Sequence, residues 1–219
     1  DFAKTHSDPL YSYFSGSKQR KAASGCALPT ANAEEDIMHA IVAERAGGPE
    51  VLQLREIETP APGPGEVLVR AAAIGVNFIE TYQRSGVYPV EFPFTPGAEA
   101  SGVVVAVGTG VTGAAPGDRI ATSEAQASYA EHFVVPAERL AHVSDAVDLA
   151  TAGALPLQGL TAHYLATSAS RVEPGDTVLV HAGAGGVGLL LTQLLAARGV
   201  RVLTTASTEA KRDLSRGAG

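Results

Sequence analysis

The sequence predicts a mixed β and α/β fold, in which a β barrel or sandwich is followed by an incomplete doubly wound α/β domain. From residue 38 to about 143, short strand patterns alternate with turns rich in glycine and proline, as in small all-β domains. From about residue 144, predicted helices alternate with strands, and a strand–helix–strand unit of this length indicates a parallel sheet. Only two strands of that sheet are present, whereas a complete doubly wound domain has six.

The elements follow in chain order. In the β part, the predicted strands are Met38–Glu44, Val51–Ile57, Glu66–Val76, Gly102–Gly108, Asp118–Thr122 and Tyr129–Val135. In the α/β part, the predicted strands are Thr177–Ala182 and Val200–Thr205, and the predicted helices are Leu160–Ala169, Gly186–Arg198 and one from Thr208 onward. Ser144 predicts a further helix start, with Asp145 and Asp148 in its first turn, and Ser207 is the predicted cap of the last helix.

The predicted organisation has three parts. Residues 1–37 are expected to be a poorly ordered extension, because they are polar and lack an apolar run long enough for a signal peptide. Residues 38–160 are predicted to form the first domain, and residues 161–219 part of the second. Met38 opens the first clear strand pattern.

Composition and charge exclude several classes of protein. Sixteen basic and 23 acidic residues give a net charge of −7, which disfavours a nucleic-acid binder that works through a basic surface. The single cysteine, Cys26, excludes an intrachain disulfide framework and a cysteine-rich zinc site, and it favours a reducing, cytoplasmic location. Residues 177–197 carry no charged side chain, but their four glycines favour a strand, a turn and a buried helix over a membrane span.

A glycine-rich segment lies between a predicted buried strand and a predicted helix. Gly183, Gly185 and Gly188 match the pattern G-x-G-x-x-G in the context typical of a dinucleotide-binding loop. Glycines let backbone N–H groups approach a pyrophosphate, and the helix start adds a partial positive charge. The residues predicted to bind the cofactor here are Ala184, Gly185, Gly186, Val187 and Gly188. The alternative is a tight turn without a ligand.

The end of the second predicted strand bears on the choice of cofactor. A site that prefers NAD usually has an Asp or Glu near this strand end, and residues 204–207 contain neither. Ser207 and Lys211 instead suit the 2′-phosphate of NADPH, so both are predicted to bind that cofactor. The alternative is that Lys211 is an ordinary solvated helix residue.

Seven segments carry a recognisable set of motifs. They are residues 75–82, 84–89, 96–102, 117–119, 128–131, 159–161 and a signature from Gly175 to Gln193. With this set, the chain from Met38 to Gly219 resembles the N-terminal part of the zinc-independent quinone oxidoreductases, the zeta-crystallin group of the medium-chain dehydrogenase/reductases. Two positions depart from the family pattern: Ala196, where Lys or Arg is usual, and Ala127, where Gly is common.

The resemblance implies a GroES-like β barrel up to about residue 160, followed by an incomplete Rossmann domain. It also implies that no metal is bound, because zinc-dependent relatives have a Cys at the position of Asn77 and a His at that of Ala98. Catalytic zinc needs three protein ligands, and the six histidines show no ligand spacing. For the complete protein, the resemblance implies a homodimer.

The resemblance also assigns roles to residues. Asn77 and Tyr82 are the predicted catalytic residues: Asn77 hydrogen-bonds the quinone oxygen, and Tyr82 donates a hydrogen bond as charge builds on it. Tyr88 is predicted to face the cofactor, and Thr161 to contact the nicotinamide amide. The alternative is that Asn77 caps the helix that follows it and that the tyrosines serve packing.

The predicted function is NADPH-dependent reduction of a quinone without zinc, in which the nicotinamide carries the redox chemistry. One alternative is an enal or enone reductase, with the same fold and hydride donor. Another, from a different class, is a non-catalytic, crystallin-like nucleotide-binding protein or an inactive fragment. Because four of the six Rossmann strands are missing, we expect residues 1–219 alone not to turn over NADPH.

Overall fold

The computed structural model describes residues 37–219 of the chain. These residues divide into two units, and the boundary along the chain falls between Gly153 and Ala154. The predicted boundary at 160/161 lies inside a helix that belongs wholly to the second unit. The predicted extension lies outside the described residues, except for Ile37, which begins the first strand.

Residues 37–153 contain seven strands and two α-helices. Strands β1 to β7 are Ile37–Ala43, Leu52–Glu58, Glu66–Ile74, Ala100–Val107, Arg119–Thr122, His132–Pro136 and Ala141–His142. Helix α1 is Phe78–Ser85 and helix α2 is Leu149–Gly153. β1 pairs with β2, and the other five strands form an antiparallel sheet in the order β6-β3-β4-β5-β7. The predicted all-β character of this part is confirmed.

The core of this unit lies on one face of the five-stranded sheet. Its fully buried side chains include alternate residues of neighbouring strands: Val67, Val69, Val104, Phe133 and Val135. These side chains share one face of the sheet, and Leu68 and Val134 on the other face are also buried, so β3 and β6 are covered on both faces there. β3 and β4 run antiparallel with Ile74 opposite Ala100, so the residues that follow β3 lie beside those that precede β4. The register thereby brings Asn77 close to Glu99.

Residues 154–219 form a small parallel α/β unit. Its helices α3, α4 and α5 are Pro156–Thr167, Gly186–Ala197 and Glu209–Arg216, and its strands β8 and β9 are Thr177–Val180 and Arg201–Thr204. β8 and β9 pair in parallel, with Val178 opposite Val202, as the strand–helix–strand pattern predicts. Their carboxyl ends therefore share one edge of the sheet.

Residues 177–197 form a strand, a turn and a helix. Within residues 37–219, every helix is too short or too polar to cross a membrane.

The prediction that Ser144 caps a helix is wrong. Helix α2 begins at Leu149, and its first free N–H groups are bound by Asp148, whose Oδ1 accepts from Ala150 at 2.8 Å and Thr151 at 3.1 Å. Ser144 Oγ accepts from the N–H of Ala146 and closes a turn instead. Ser144 and Asp148 are both favourable cap residues, and four positions separate them, so composition alone does not decide between them.

Ala127 adopts a left-handed backbone conformation, with φ at 56°. A residue with a Cβ is strained there, whereas glycine is not. This explains why the related family commonly has glycine at this position.

Candidate functional site

The turn between β8 and α4 closes tightly on itself. Gly185 donates its N–H to the carbonyl oxygen of Ala182 at 2.8 Å, and Ala182 has a left-handed φ of 53°. A Cβ on Gly188 would lie 2.3 Å from the same carbonyl oxygen, so α4 can pack this close only with glycine there. We call residues 182–188 the glycine loop. The glycine loop includes the first turn of α4, where backbone N–H groups without a partner in the helix can bind an anion.

A cavity of about 500 Å³ opens beside the glycine loop, at the carboxyl ends of β8 and β9. Its lining comes from the loop and from the segment after β9. The lining residues are Ala182, Ala184, Gly185, Thr205, Ala206, Ser207 and Lys211. Four residues predicted to bind the cofactor are thus brought together: Ala184, Gly185, Ser207 and Lys211. The volume lies in the range of small-molecule sites.

The other three residues predicted in the loop contribute to the packing of α4. A Cβ on Gly186 would lie 1.8 Å from Oε1 of Gln158 on α3, so the end of that flexible side chain would have to move. Val187 packs against the buried core of the second unit. Gly188 permits the close contact with Ala182 described above. These three residues fix the helix whose amino end faces the cavity.

Thr205 is a site residue that the sequence reasoning missed. Its Oγ1 accepts from the N–H of Ala182 at 3.2 Å, and its carbonyl accepts from the N–H of Gly183 at 3.0 Å. Thr205 therefore ties the end of β9 to the glycine loop. The available signal was its place at the carboxyl end of the second predicted strand, where cofactor contacts in doubly wound folds occur.

The predicted cap Ser207 is replaced by its neighbour. Thr208 is the N-cap of α5, and its Oγ1 accepts from the N–H of Lys211 at 3.3 Å. Ser207 lines the cavity instead. The backbone N–H of Lys211 serves this cap, and its side chain supplies a positive charge at the cavity wall.

In the first unit, Asn77 stands at the junction of β3 and α1. It is the N-cap of α1, and its backbone N–H donates to Glu80 Oε2 at 2.9 Å. Its side-chain Nδ2 donates to Glu99 Oε2 at 2.8 Å. The alternative in which Asn77 caps the following helix is therefore confirmed. Asn77 and Glu80 form a capping box, in which the Asn77 side chain also accepts from the Glu80 backbone, and the second N–H of the Asn77 amide is left for a ligand.

Tyr82 and Tyr88 belong to an exposed group of three aromatic rings. Tyr82 lies 5.3 Å from Tyr88 and 5.2 Å from Phe78, between ring centroids. We call these three residues the aromatic cluster. Phe78 is 72% exposed and was not among the predicted site residues, although it precedes Tyr82 by one helical turn. The cluster offers flat apolar faces, on which a planar ring can stack.

Two acidic side chains lie beneath Asn77, and both were missed as site residues. Glu99 is fully buried and Glu80 is 6% exposed. The Tyr129 hydroxyl donates to Glu80 Oε2 at 2.6 Å, while Glu80 Oε1 is buried without a hydrogen-bond partner among residues 37–219. Burial is the larger cause and the hydrogen bond to Glu80 the smaller one, and together they raise the pKa of Tyr129 well above its usual value. Tyr129 therefore remains a donor throughout the physiological pH range.

Replacing Tyr129 with phenylalanine is expected to lower the free energy of unfolding by about 1.5–3 kcal/mol, because a buried carboxylate loses a charge-assisted hydrogen bond. Urea unfolding followed by circular dichroism measures this loss. Tyr164→Phe, at an exposed position, is the matched control and should change stability little. Equal stability of the two variants would contradict the role of Tyr129.

Thr161 lies on α3 in the second unit and outside the cavity lining. Its hydroxyl donates to the carbonyl of Leu157 at 2.7 Å. Its predicted contact with the nicotinamide stays a prediction. Among residues 37–219, no group of three or more His, Cys, Asp or Glu side chains is placed to hold a metal ion.

The sequence of the chain matches a known protein-domain family. Residues 63–174, just over half of the chain, match the alcohol dehydrogenase GroES-like domain family. The chain belongs to this family. The GroES-like domain match covers β3 to β7 and all of the Asn77 site.

Individual relatives narrow the comparison further. The GroES-like chain is 45% identical over 172 residues to a probable quinone oxidoreductase of Schizosaccharomyces pombe, with 78% of this chain and 52% of the relative covered. It is 40% identical to a 2-haloacrylate reductase of a Burkholderia species, with 81% and 55% covered. A mycobacterial protein complexed with NADPH is 53% identical with a TM-score of 0.81, over 83% of this chain and 57% of that one.

These relatives confirm the predicted resemblance to quinone oxidoreductases and the predicted fold class. The chain spans about half the length of the relatives that it matches.

Proposed function

We propose that the complete protein is an NADPH-dependent quinone reductase that works without zinc. The observation that carries the proposal is the lining of the cavity beside the glycine loop. Lys211 brings a positive charge to it, and none of its seven lining residues is acidic. Such a lining favours a cofactor with a 2′-phosphate over one with free ribose hydroxyls.

The residues present fit NADPH. The glycine loop brings backbone N–H groups and the amino end of α4 to one wall of the cavity, where a pyrophosphate is stabilised. Ser207 and Lys211 follow the carboxyl end of β9 and line the same cavity, where they can hold the 2′-phosphate. When bound, NADPH supplies the hydride or electrons.

In the first unit, we assign binding and orientation of the quinone to Asn77, Tyr82 and the aromatic cluster. The amide of Asn77 retains one N–H beyond its bond to Glu99, and this N–H can donate to a quinone oxygen. The hydroxyl of Tyr82 is a second donor, which stabilises the negative charge that builds on that oxygen. Tyr88 and Phe78 extend the surface for a planar ring. A quinone accepts a hydride without the Lewis acid that alcohol oxidation needs, so these donors suffice.

Reduction of an activated carbon–carbon double bond is a second candidate, favoured by the likeness to a 2-haloacrylate reductase. An assay of NADPH oxidation by the complete protein, with 1,4-benzoquinone in one series and an unsaturated aldehyde in the other, separates the two. We expect turnover with the quinone at about 1 s⁻¹ or more, after subtraction of the protein-free reaction. Turnover with the aldehyde alone would favour the second candidate. Binding of NADPH without turnover on either acceptor would favour a non-catalytic role.

Replacing Lys211 with alanine is expected to weaken NADPH binding by about 1.5–3 kcal/mol, or roughly 10- to 150-fold, and to leave NADH binding nearly unchanged. The reason is the loss of a charge-assisted contact with the 2′-phosphate. Titration calorimetry of both cofactors measures the difference.

Arg212→Ala is the matched control, because Arg212 is the next residue, carries the same charge and pairs with Glu209 at 2.9 Å. It should leave the preference for NADPH intact. Equal weakening of NADPH and NADH by Lys211→Ala would reject the assignment.

Three finer assignments belong to the same proposal. The first unit, which ends at Gly153 rather than at the predicted residue 160, forms the catalytic domain, and residues 154–219 form the first part of the NADPH-binding domain, with Thr161 directed at the nicotinamide amide. The complete protein is a homodimer, a point that sedimentation equilibrium tests. Its location is cytoplasmic, which the sparse use of cysteine supports.

A further inference from the structure

Asn77 is held at two points by acidic side chains that are themselves fixed. Its backbone N–H donates to Glu80 and its side-chain Nδ2 donates to Glu99, at 2.9 and 2.8 Å. Glu99 is fully buried immediately before β4, and Glu80 is buried on the first turn of α1. Through Asn77, the two contacts connect the start of α1 to the residue that precedes β4.

The contact with Glu99 has a chemical consequence for the amide of Asn77. An asparagine amide has two nearly isosteric ends, and a neutral partner can accept either of them. A carboxylate accepts hydrogen bonds but does not donate them, so Asn77 must turn Nδ2 towards Glu99. The remaining N–H and the carbonyl Oδ1 are then presented in one orientation only.

Gly75 provides the space that this contact needs. A Cβ on Gly75 would lie 2.1 Å from Glu99 Oε2, the oxygen that accepts from Asn77. The N–H of Gly75 also donates to the carbonyl oxygen of Glu99 at 2.9 Å, which fixes the two backbones side by side. Any side chain at position 75 would therefore displace the carboxylate from Asn77.

We propose that Glu99 is a positioning residue that fixes the orientation of the Asn77 amide for the quinone, in the space that Gly75 leaves open. Glu99 is buried beneath Asn77 and acts through that residue. The orientation matters because the quinone oxygen needs a donor, and a flipped amide would present a second acceptor. This inference rests on the proposed function for its effect on the reaction, but the orientation itself is a property of residues 75–99.

The first test is structural and needs no turnover. In a ¹⁵N-labelled chain, the side-chain Nδ2 signal of Asn77 is identified by its loss in Asn77→Ser. We expect one of its two protons to be shifted downfield and to exchange slowly with water, because its acceptor is buried. Glu99→Gln should abolish this protection, since glutamine can present either end of its own amide. A protected signal that survives Glu99→Gln would overturn the proposal.

The second test is kinetic and uses the complete protein. Glu99→Gln is expected to lower kcat for the quinone about 10-fold or more and to leave the KM for NADPH unchanged. In an Asn77→Ser background, Glu99→Gln should lower kcat by less than about twofold, because Glu99 acts through Asn77. If Glu99→Gln lowered kcat by the same factor in the Asn77→Ser background as in the wild-type protein, the proposal would be overturned. Such a result would mean that Glu99 affects the reaction independently of Asn77.

Gly75→Ala should reproduce the loss seen with Glu99→Gln. Gly113→Ala is the matched control, because a Cβ on Gly113 meets open space. The absence of quinone reduction in the wild-type protein would reject the proposed function, and the Nδ2 signal would still decide the orientation of Asn77.

Discussion

Replacing Asn77 with alanine is expected to lower kcat for quinone reduction by about 100-fold or more, with NADPH binding unchanged. The amide is assigned as a fixed donor to the quinone oxygen, and loss of one such donor typically costs 10²–10³ in rate, to order of magnitude. The amide is fixed by its Nδ2 bond to Glu99, and the backbone of Asn77 is fixed by its N–H bond to Glu80. Steady-state kinetics of the complete protein, together with a cofactor titration, measure both quantities.

A second variant separates the amide from the helix cap. Serine is as good an N-cap as asparagine, so Asn77→Ser should preserve the start of α1. It removes the amide and should therefore lose kcat as alanine does. Near-normal activity of Asn77→Ser would mean that Asn77 serves only as a cap.

Replacing Gly188 with alanine is expected to weaken NADPH binding by about 10- to 100-fold. The new Cβ would lie 2.3 Å from the carbonyl oxygen of Ala182 and 2.8 Å from the Cα of Gly183, and both are backbone atoms that cannot rotate away. Relief of such overpacking costs about 1–3 kcal/mol and moves α4 away from the glycine loop. Titration with NADPH, followed by nucleotide fluorescence, measures the change.

Gly217→Ala is the control for this substitution. It lies in the same unit, has an ordinary φ of −71°, and its Cβ would meet no atom closer than 3.6 Å. It should bind NADPH as the wild-type chain does. Full NADPH affinity in Gly188→Ala would contradict the packing described for the glycine loop.

The glycine loop could be predicted from the sequence because its signals are local. An apolar strand, closely spaced glycines and a helix follow one another within about 20 residues, and each restricts the next. The cap of α5 was missed by one position, because Ser207 and Thr208 are both good caps and only the backbone decides between them.

The acidic residues under Asn77 could not be predicted in the same way. Asn77 and Glu99 are 22 residues apart, and Tyr129 and Glu80 are 49 residues apart. Their meeting depends on the register of β3 with β4, where Ile74 stands opposite Ala100. In a sequence, a glutamate is normally taken to lie on the surface, because carboxylates are rarely buried unless they have partners. The partners of Glu80 and Glu99 become visible only in the folded chain.

The most direct test of the account is a single-turnover reaction of the complete protein with NADPH and 1,4-benzoquinone after exhaustive treatment with a metal chelator. The cofactor is assigned to the glycine loop and Lys211, and the quinone to Asn77 and the aromatic cluster, with no metal in either role. The account predicts oxidation of NADPH well above the protein-free rate, unchanged by the chelator and lost in Asn77→Ser. Oxidation that disappears on chelation and returns with added zinc, or that persists in Asn77→Ser, would contradict it.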